Sequence, residues 1–507
     1  MDNQTLDALA LSLQNLMTWQ VLAALLIGAI GGLIIGAVPG IGPAIAIAIL
    51  LPATIFLDDL VALVLLLGVY GSSMYGGAIP AILINTPGTP VNALTTYDGY
   101  AMTTRGQAGR ALSLAYSASF FGGMFSISVA LIALFGFGPY LRDLGSLFGS
   151  RDIFMAALLG AVLLIVAHRQ NMLIAAFMFC FGGLIAVVGR SQTRQYNGER
   201  IELFTFNIEL LSSGFNLIVV IVGIFAISQA LNLLTGKDDA PPDSKLTGGL
   251  FRGLAELIKF PRVASFSAMY GTVMGIIPGV GEFVAQFFSY STARGISKKP
   301  EQFGRGAPDG LIASETSNNA VPAAAMIPLL ALGVPGEALT AMMMVVFFDA
   351  GIKPGPDIFE KNPDFLFSLF IALMIINVLV VVTLLLSTRW IAKMVYIPNR
   401  FLGVLILVLA FVGVFSIQNR LEDCMIAAVF GFIGFILRRL DWPLVPIVLG
   451  MVLGNIMIER LTAGAGQAVT LVGLFSRWVS GILALVIIGI IIFTIVSLIM
   501  ERRRGRT

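Results

Sequence analysis

The sequence predicts an all-α polytopic membrane protein made of two inverted structural repeats, each with a re-entrant Pro-Gly hairpin and an interrupted helix. Three observations predict this fold: an apolar composition, a series of membrane-length segments, and a glycine–proline motif present in both halves. Of the 507 residues, 57% are hydrophobic and only 12% are charged. A soluble domain carries about 25% charged residues, so the chain is expected in a bilayer.

Apolar segments recur along the whole chain. A helix needs about 20 apolar residues to cross the hydrocarbon core, and shorter segments suit helices that enter it partway. The first half has such segments at 19–38, 42–57, 60–84, 111–138, 153–167, 172–188 and 208–234. The second half has them at 263–277, 282–293, 311–350 (interrupted), 364–386, 401–416, 424–437, 443–457 and 480–500. Residues 1–236 are therefore predicted to form the first repeat, 237–262 a cytoplasmic linker and 263–507 the second repeat.

The glycine–proline motif is the feature around which the rest is organised. Residues 36–43 read Gly-Ala-Val-Pro-Gly-Ile-Gly-Pro, and residues 275–282 read Gly-Ile-Ile-Pro-Gly-Val-Gly-Glu. Proline removes a backbone donor and glycine adds freedom, so a helix is expected to break there. In lipid, a break survives only where protein or a wet cavity covers its free backbone groups. Two matching breaks indicate a transport site.

A second polar element follows each motif. Residues 76–81, Gly-Gly-Ala-Ile-Pro-Ala, match residues 318–323, Asn-Asn-Ala-Val-Pro-Ala. Pro87-Gly88 and Pro335-Gly336 come next in the two copies. Pro80 and Pro87 are closer together than Pro322 and Pro335, so this alignment predicts that the copies have diverged at the second break.

The distribution of Lys and Arg predicts the orientation. Basic residues in 237–262, in 294–305 and at the C-terminus, Arg502 to Arg506, place these segments in the cytoplasm. Residues 263–293 then enter and return on one side. Residues 1–18 and Asp58-Asp59 carry no base and are expected outside, so the first hairpin enters from the opposite face. The loop 190–200, with three arginines, conflicts with this assignment.

Few residues suggest other chemistry. Residues 1–18 lack a basic n-region, so no cleavable signal peptide is expected. Cys180 and Cys424 lie in apolar segments, where we expect small buried side chains and neither a disulfide framework nor a metal site. His168 is the only histidine, which supports no catalytic triad or zinc site, and it is expected at the membrane interface. We therefore predict that the chain is not an enzyme, although an aspartyl dyad stays open as an alternative.

At these motifs the chain resembles the large membrane subunit of the tripartite tricarboxylate transporters, the TctA family. The likeness covers nearly the whole chain. In the second half Ala331-Leu332-Gly333-Val334-Pro335-Gly336 carries it. Ala101 replaces a usual proline, and Glu282 and Glu337 stand where small or neutral residues are more common. The stretches that match are 36–43, 75–77, 81–90, 96–102, 204–206, 278–281, 288–290, 303–304, 318–320 and 328–336.

The resemblance implies a secondary transporter that imports di- and tricarboxylates such as citrate across the bacterial inner membrane by cation-coupled symport. It also implies two partners, a small four-helix membrane subunit and a periplasmic substrate-binding protein. The coupling ion would be Na⁺ or H⁺, with no other cofactor. The alternative is an ion channel or ion-only exchanger, which would also contain broken helices but would need no delivery protein.

The candidate site follows from the charge of helix ends. Helix N-termini carry partial positive charge and free N–H groups that attract carboxylates, and unwound carbonyls can bind Na⁺. The substrate-binding candidates are Gly40, Gly42, Asn85, Thr86, Gly88, Thr89, Gly279, Gly281, Asn318, Asn319 and Gly336. Alternatively, the glycines only allow close helix packing and the amides only cap helix ends.

Ser317, Glu282 and Glu337 are the candidates for cation coupling. A carboxylate at membrane depth is a functional hypothesis by default, because burying it is costly. It could bind Na⁺ or carry a proton. Alternatively, each glutamate caps a helix N-terminus, where the helix dipole favours a negative charge. Asp98 and Arg105 are expected at a cytoplasmic helix end, outside the site.

Overall fold

The computed structural model describes residues 3–147, 149–168, 171–189, 203–236, 253–278, 281–355, 357–463 and 477–504. The described chain is helical, and eight of its helices are long and apolar enough to cross a membrane. The predicted all-α multi-pass class is thus confirmed. The loop 190–200, most of the predicted linker and Gly279 lie outside the described residues, so their assignments stay predictions.

The helices follow the apolar segments closely in both halves. Those of the first half are α1 (Asn3–Leu16), α2 (Trp19–Gly36), α3 (Pro43–Thr54), α4 (Asp59–Ile84), α5 (Ala93–Thr104), α6 (Ala108–Leu147), α7 (Ser150–Ala167), α8 (Met172–Val187) and α9 (Leu217–Thr235). Those of the second half are α10 (Pro261–Ile276), α11 (Gly281–Ile296), α12 (Pro308–Leu332), α13 (Ala338–Asp349), α14 (Pro363–Ile391), α15 (Asn399–Gln418), α16 (Leu421–Arg439), α17 (Val445–Ala463) and α18 (Trp478–Arg504). Short helical turns at Glu209–Ser212, Gly253–Leu257 and Ile358–Lys361 connect some of them.

The N-terminal segment lies before the first predicted apolar segment, yet residues 3–16 form helix α1. One residue per turn, Ala8, Ser12 and Leu16, is buried, and the helix packs against α14. This spacing of four is the stripe of an amphipathic helix. A scan for uniformly apolar segments cannot detect it.

The packing is reciprocal between the halves. Helix α2 packs against α4 as α10 packs against α12, and α8 packs against α17 as α16 packs against α9. Likewise α1 packs against α14, and the turn Gly253–Leu257 packs against α6. The same order of helices is therefore used twice, with elements exchanged between the halves. The opposite orientation of the two halves in a bilayer, and the re-entrant path of the hairpins, stay predictions.

Glycines bring each broken element against its long helix. A Cβ on Gly32 of α2 would lie 2.6 Å from the Val69 carbonyl oxygen of α4. In the second half, a Cβ on Gly271 of α10 would lie 2.3 Å from the Ser317 carbonyl oxygen of α12. Both distances are too short for any side chain, so backbones touch directly. Small residues allow such close helix packing in membranes.

The second breaks are more alike than the sequence alignment suggested. Helix α4 ends at Asn85 (φ 58°), and α12 ends at Gly333 (φ 70°), both in the left-handed conformation that closes helices. The N–H of Thr86 donates to the Pro80 carbonyl at 3.4 Å, and the N–H of Val334 donates to the Pro328 carbonyl at 3.3 Å.

The structural equivalent of Pro80 is therefore Pro328, not Pro322, and the predicted divergence is wrong. Pro80 precedes Pro87 by the same number of residues as Pro328 precedes Pro335. Matching short motifs by composition misaligned the copies, because α12 contains two prolines. Under the corrected alignment, Thr89 corresponds to Glu337 and Tyr70 corresponds to Asn318.

Candidate functional site

A cavity of about 710 Å³ lies where the broken elements of both halves meet. Four helices, α3, α11, α13 and α17, have their first residues in its wall. The segment 87–91, just before α5, forms another part. The cavity lining includes Gly40, Gly42, Pro43, Met74, Gly88, Thr89, His168, Gln229, Gly281, Glu282, Glu337, Arg438 and Asp441.

The cavity contains half of the predicted site residues. Gly40, Gly42, Gly88 and Thr89 come from the first half of the chain. Gly281, Glu282 and Glu337 come from the second half and lie in the same wall. The two breaks that were identified by their repetition therefore meet in one cavity.

The first break is stabilised by the backbone conformation of Gly40 and by a hydrogen bond from α9. Gly40 has φ +82°, a conformation that glycine adopts freely. The amide Nε2 of Gln229 donates to the Gly40 carbonyl at 2.8 Å. Helix α3 then begins with Gly42 as N-cap and Pro43 as its first residue. Proline suits that position because its missing N–H would have had no helical partner.

The second half places two carboxylates beside one phenol from the first half. Glu282 lies in the first turn of α11, and Glu337 is the N-cap of α13. The phenol oxygen of Tyr70, on α4, lies 3.2 Å from a carboxylate oxygen of Glu282 and also bonds Glu337. All three side chains are buried. Both glutamates thus combine a place at the start of a helix with burial inside the protein, and their role in cation coupling stays a prediction.

The remaining predicted residues lie off this wall. Asn85 and Thr86 are exposed at the end of α4. Ser317 donates to the Ala313 carbonyl at 2.7 Å, and Asn319 donates to the Glu315 carbonyl at 3.3 Å, so both bond their own helix. Asn318 is fully buried and neither of its amide atoms has a hydrogen-bond partner. Gly336 is buried against Ala325, and Gly279 lies outside the described residues.

The sequence reasoning missed the cavity's basic residue. Arg438, in the last turn of α16, lines the cavity, and its Nε donates to the Ser228 hydroxyl at 3.0 Å. Arg438 lies just past the apolar segment assigned to 424–437, so it is not among the site residues predicted from the sequence. His168, the C-cap of α7, also lines the cavity. Its predicted position at the membrane interface stays a prediction.

A second missed residue is Glu315. It lies in the polar run Ser314-Glu315-Thr316-Ser317 of α12 and is fully buried. Like Glu282, this carboxylate lies within a predicted apolar segment, 311–350, and could have been recognised from the sequence. Gln229 of α9 could not be recognised in this way, because nothing in the sequence marks it. In the structure it follows a π-helical turn, Val222–Ile227. Such turns are common at functional sites.

Asp98 lies outside the cavity, as expected. It is buried in the protein and lies in the middle of α5, however, and not at a helix end. Its carboxylate accepts the backbone N–H groups of Gly304, Gly306 and Ala307 at 2.8–2.9 Å. The Tyr290 hydroxyl donates to it at 2.8 Å. Asp98 therefore fastens a loop of the second half to a helix of the first half.

Comparisons with known proteins agree with the family resemblance. The model of the tripartite tricarboxylate transporter TctA family matches residues 22–449. A 52.8 kDa protein in the TAR-I ttuC' 3'region of Agrobacterium vitis is 34% identical over 436 residues, which cover 86% of this chain and 85% of that protein. A protein in the TAR-II ttuC' 3'region of the same organism is 37% identical over 192 residues, which cover 38% of this chain and 79% of that protein. No solved structure matches.

The TctA match spans most of the chain, from α2 into α17. It includes the helices that form the cavity, and the described helices suit a multi-pass membrane protein. The family is one of transporters and not of enzymes. The chain therefore belongs to the tripartite tricarboxylate transporter TctA family, as a large membrane subunit.

Proposed function

We propose that this chain imports di- or tricarboxylates across the bacterial inner membrane by cation-coupled symport, and that the cavity between its halves binds the carboxylate. One observation carries the proposal: the N-termini of α3, α11 and α13 and the side chain of Arg438 line a single cavity. Helix N-termini and a guanidinium group all favour anions. The cavity volume also suits a small organic molecule.

The charges are divided between two parts of the wall. Glu282 and Glu337 already supply negative charge to the N-termini of α11 and α13. Helix α3 begins with glycine and proline, so its N-terminus has no side-chain anion of its own. We therefore place the substrate carboxylate at α3, Thr89 and Arg438, which can attract an anion.

The glutamate pair supports cation coupling. Tyr70 has one hydroxyl proton but contacts two carboxylates. It can donate to only one of them, so the other contact is favourable when a carboxyl group is protonated or a cation lies between them. Two ionised carboxylates in one buried place repel each other. A proton or Na⁺ bound here would offset the substrate's charge in the same cavity.

The membership in a tripartite family supports the two partners implied by the resemblance. We propose that a periplasmic binding protein delivers the carboxylate and that a small membrane subunit completes the transporter. Helix N-termini act by partial charges, so the chain alone is expected to bind its substrate modestly. Capture at low concentration then falls to the binding protein.

Transport in proteoliposomes tests the proposal. The chain, the small subunit and the binding protein are reconstituted, and labelled citrate and succinate are followed under imposed Na⁺ and proton gradients. We expect counterflow without a gradient, accumulation with one, and strongly reduced uptake without the binding protein. Ion currents without any carboxylate dependence would instead support a channel or ion-only exchanger.

A further inference from the structure

Glu315 is a buried carboxylate outside the cavity that the proposed mechanism does not use. It lies on α12 and its side chain is fully buried. Among the described residues, none of the ion pairs includes it. An unpaired carboxylate in a membrane protein's interior is costly and marks a functional site by default.

Three side chains of the first half surround this carboxylate. The Thr95 hydroxyl donates to Oε1 at 2.5 Å, the Asn92 amide Nδ2 lies 3.4 Å from Oε1, and the Ser119 hydroxyl donates to Oε2 at 2.8 Å. These donors satisfy the ionised form. A hydroxyl can also rotate and accept, so Ser119 can receive a hydrogen bond from a protonated Oε2. The same pocket therefore accommodates Glu315 with and without a proton.

A short chain of hydrogen bonds joins Glu315 to the cavity wall. The Thr89 hydroxyl donates to the Asn92 Oδ1 at 2.5 Å, and the Asn92 Nδ2 in turn faces both Glu315 and the Met74 carbonyl, each at 3.4 Å. Thr89 and Met74 line the cavity. Asn92 is thus the single side chain between the wall and the buried carboxylate.

We propose that Glu315 binds a proton whose uptake is coupled to carboxylate binding through Thr89 and Asn92. An anion at the wall accepts a hydrogen bond from the Thr89 hydroxyl, so the Asn92 Oδ1 loses its donor. Asn92 is then free to turn, and Glu315 loses one of the donors that stabilise its ionised form. Binding of the anion therefore favours protonation of Glu315, and linkage makes the effect reciprocal. This inference rests on the proposed function, since it assumes an anion in the cavity.

Few ionisable groups compete for this role around α12. The charge of Glu315 acts on two ionisable side chains, Tyr75 of α4 and Tyr116 of α6, and phenols are uncharged near neutral pH. Several charged groups on these elements bond to other side chains: Asp98 to Tyr290, Glu282 and Glu337 to Tyr70, Arg110 to Glu256, and Asp357 to Lys361. The other charged groups on the packed helices lie at or near helix ends, whereas Glu315 lies inside α12; they are Asp59, Arg262, Arg294, Asp309 and Asp349.

A ligand-free measurement tests the proton site on its own. Infrared titration of the purified full chain follows the C=O stretch of protonated carboxyl groups as the pH falls from about 8 to about 5. We expect a band in the parent protein that Glu315→Gln lacks and that Glu301→Gln, at an exposed position, retains. Gln fits the pocket, since its oxygen accepts from Thr95 and its amide donates to Ser119. An identical titration in parent and Glu315→Gln would overturn the proposal.

Calorimetry with citrate then tests the coupling. In buffers of different ionisation enthalpy, we expect the parent to take up about one proton per citrate bound, because binding and protonation are linked. Glu315→Gln and Asn92→Ala should bind citrate with little proton uptake, and both should still catalyse counterflow. Equal proton uptake in parent and Glu315→Gln, or coupling that follows Na⁺ alone, would refute it. A parent protein that binds no carboxylate would instead contradict the proposed function. The infrared titration would still test the proton site, because it uses no carboxylate ligand.

Discussion

Tyr70 donates a hydrogen bond to the carboxylate of Glu337 and thereby joins the long helix of the first half to the first turn of α13 in the second. The same phenol oxygen lies 3.2 Å from Glu282. Residues far apart in sequence thus form one polar group at the cavity. Its role in coupling leads to the first prediction.

Removing either carboxylate should change the cation dependence of uptake. Glu282→Gln and Glu337→Gln each eliminate one negative charge, and Tyr70→Phe removes the shared donor while keeping the ring. We expect all three variants to shift the Na⁺ or pH dependence of citrate uptake, measured in proteoliposomes. Glu301→Gln, which changes an exposed glutamate, is the control. Parent-like ion profiles in both Gln variants would leave the glutamates with a helix-capping role only.

Arg438 should contribute to substrate affinity. Arg438→Gln removes a guanidinium from the cavity wall, and a hydrogen bond to a charged group contributes about 1.5–3 kcal/mol. We expect citrate affinity to fall roughly tenfold or more, with a smaller loss for Arg438→Lys, which cannot bind a carboxylate with two parallel bonds. Calorimetry on the purified chain measures both.

The neighbouring arginine is a matched control for that experiment. Arg439 is exposed and donates to the Thr235 hydroxyl at 2.8 Å, and it is not among the lining residues. Arg439→Gln removes the same charge one position along the helix. Equal losses in the two variants would show that net charge, and not contact with the substrate, sets the affinity.

Asn318 lies off the cavity wall, and we expect it to bind a ligand or ion when the two halves rearrange during transport. Its buried amide has no partner on either atom, and it occupies the position in α12 that Tyr70 occupies in α4. We expect Asn318→Ala to weaken citrate binding by about 1–3 kcal/mol. Asn85→Gly, which keeps the left-handed conformation at an exposed site, should leave binding unchanged. Higher stability with parent affinity in Asn318→Ala would argue against a ligand there.

Asp98 should matter for stability more than for substrate binding. Asp98→Ala leaves the N–H groups of Gly304, Gly306 and Ala307 without their acceptor. Ala307 is buried, and a buried unsatisfied group costs about 1–3 kcal/mol. We expect a clear decrease in the thermal unfolding temperature and nearly unchanged citrate affinity in the folded fraction. Asp309→Asn, at a half-buried position nearby, is the comparison. An unchanged melting curve for Asp98→Ala would contradict the role in fastening the loop.

Cysteine labelling tests the opposite orientation of the halves. In a background with Cys180 and Cys424 replaced by serine, single cysteines replace the exposed Asp59 and Lys298. Because Asp59 follows the first hairpin and Lys298 follows the second, we expect an impermeant reagent to reach them from opposite faces. Labelling of both from one face would mean that the repeats are parallel.

The sequence carried the fold class and both breaks because these depend on local chemistry. A long apolar segment favours a membrane helix and a Pro-Gly pair breaks one, whatever the surrounding contacts. Gly40 and Gly281 could therefore be recognised from the sequence alone. Arg438, Gln229 and Tyr70 could not, since their importance arises only when α16, α9 and α4 pack around the breaks. The misplaced match to Pro322 has a related cause: two prolines in one helix are indistinguishable until the helix end is known.

The glycine contacts of Gly32 and Gly271 limit how the transporter can move. With these backbones in direct contact, separating a broken element from its own long helix would lose close packing, so each pair is expected to move as one rigid body. Relative motion of the two bodies would then occur at the contacts between them, where Tyr70 meets the glutamates and where Asn92 meets Glu315. A cation bound at these contacts would change the relative stability of the two arrangements and so couple ion binding to the opening of the cavity.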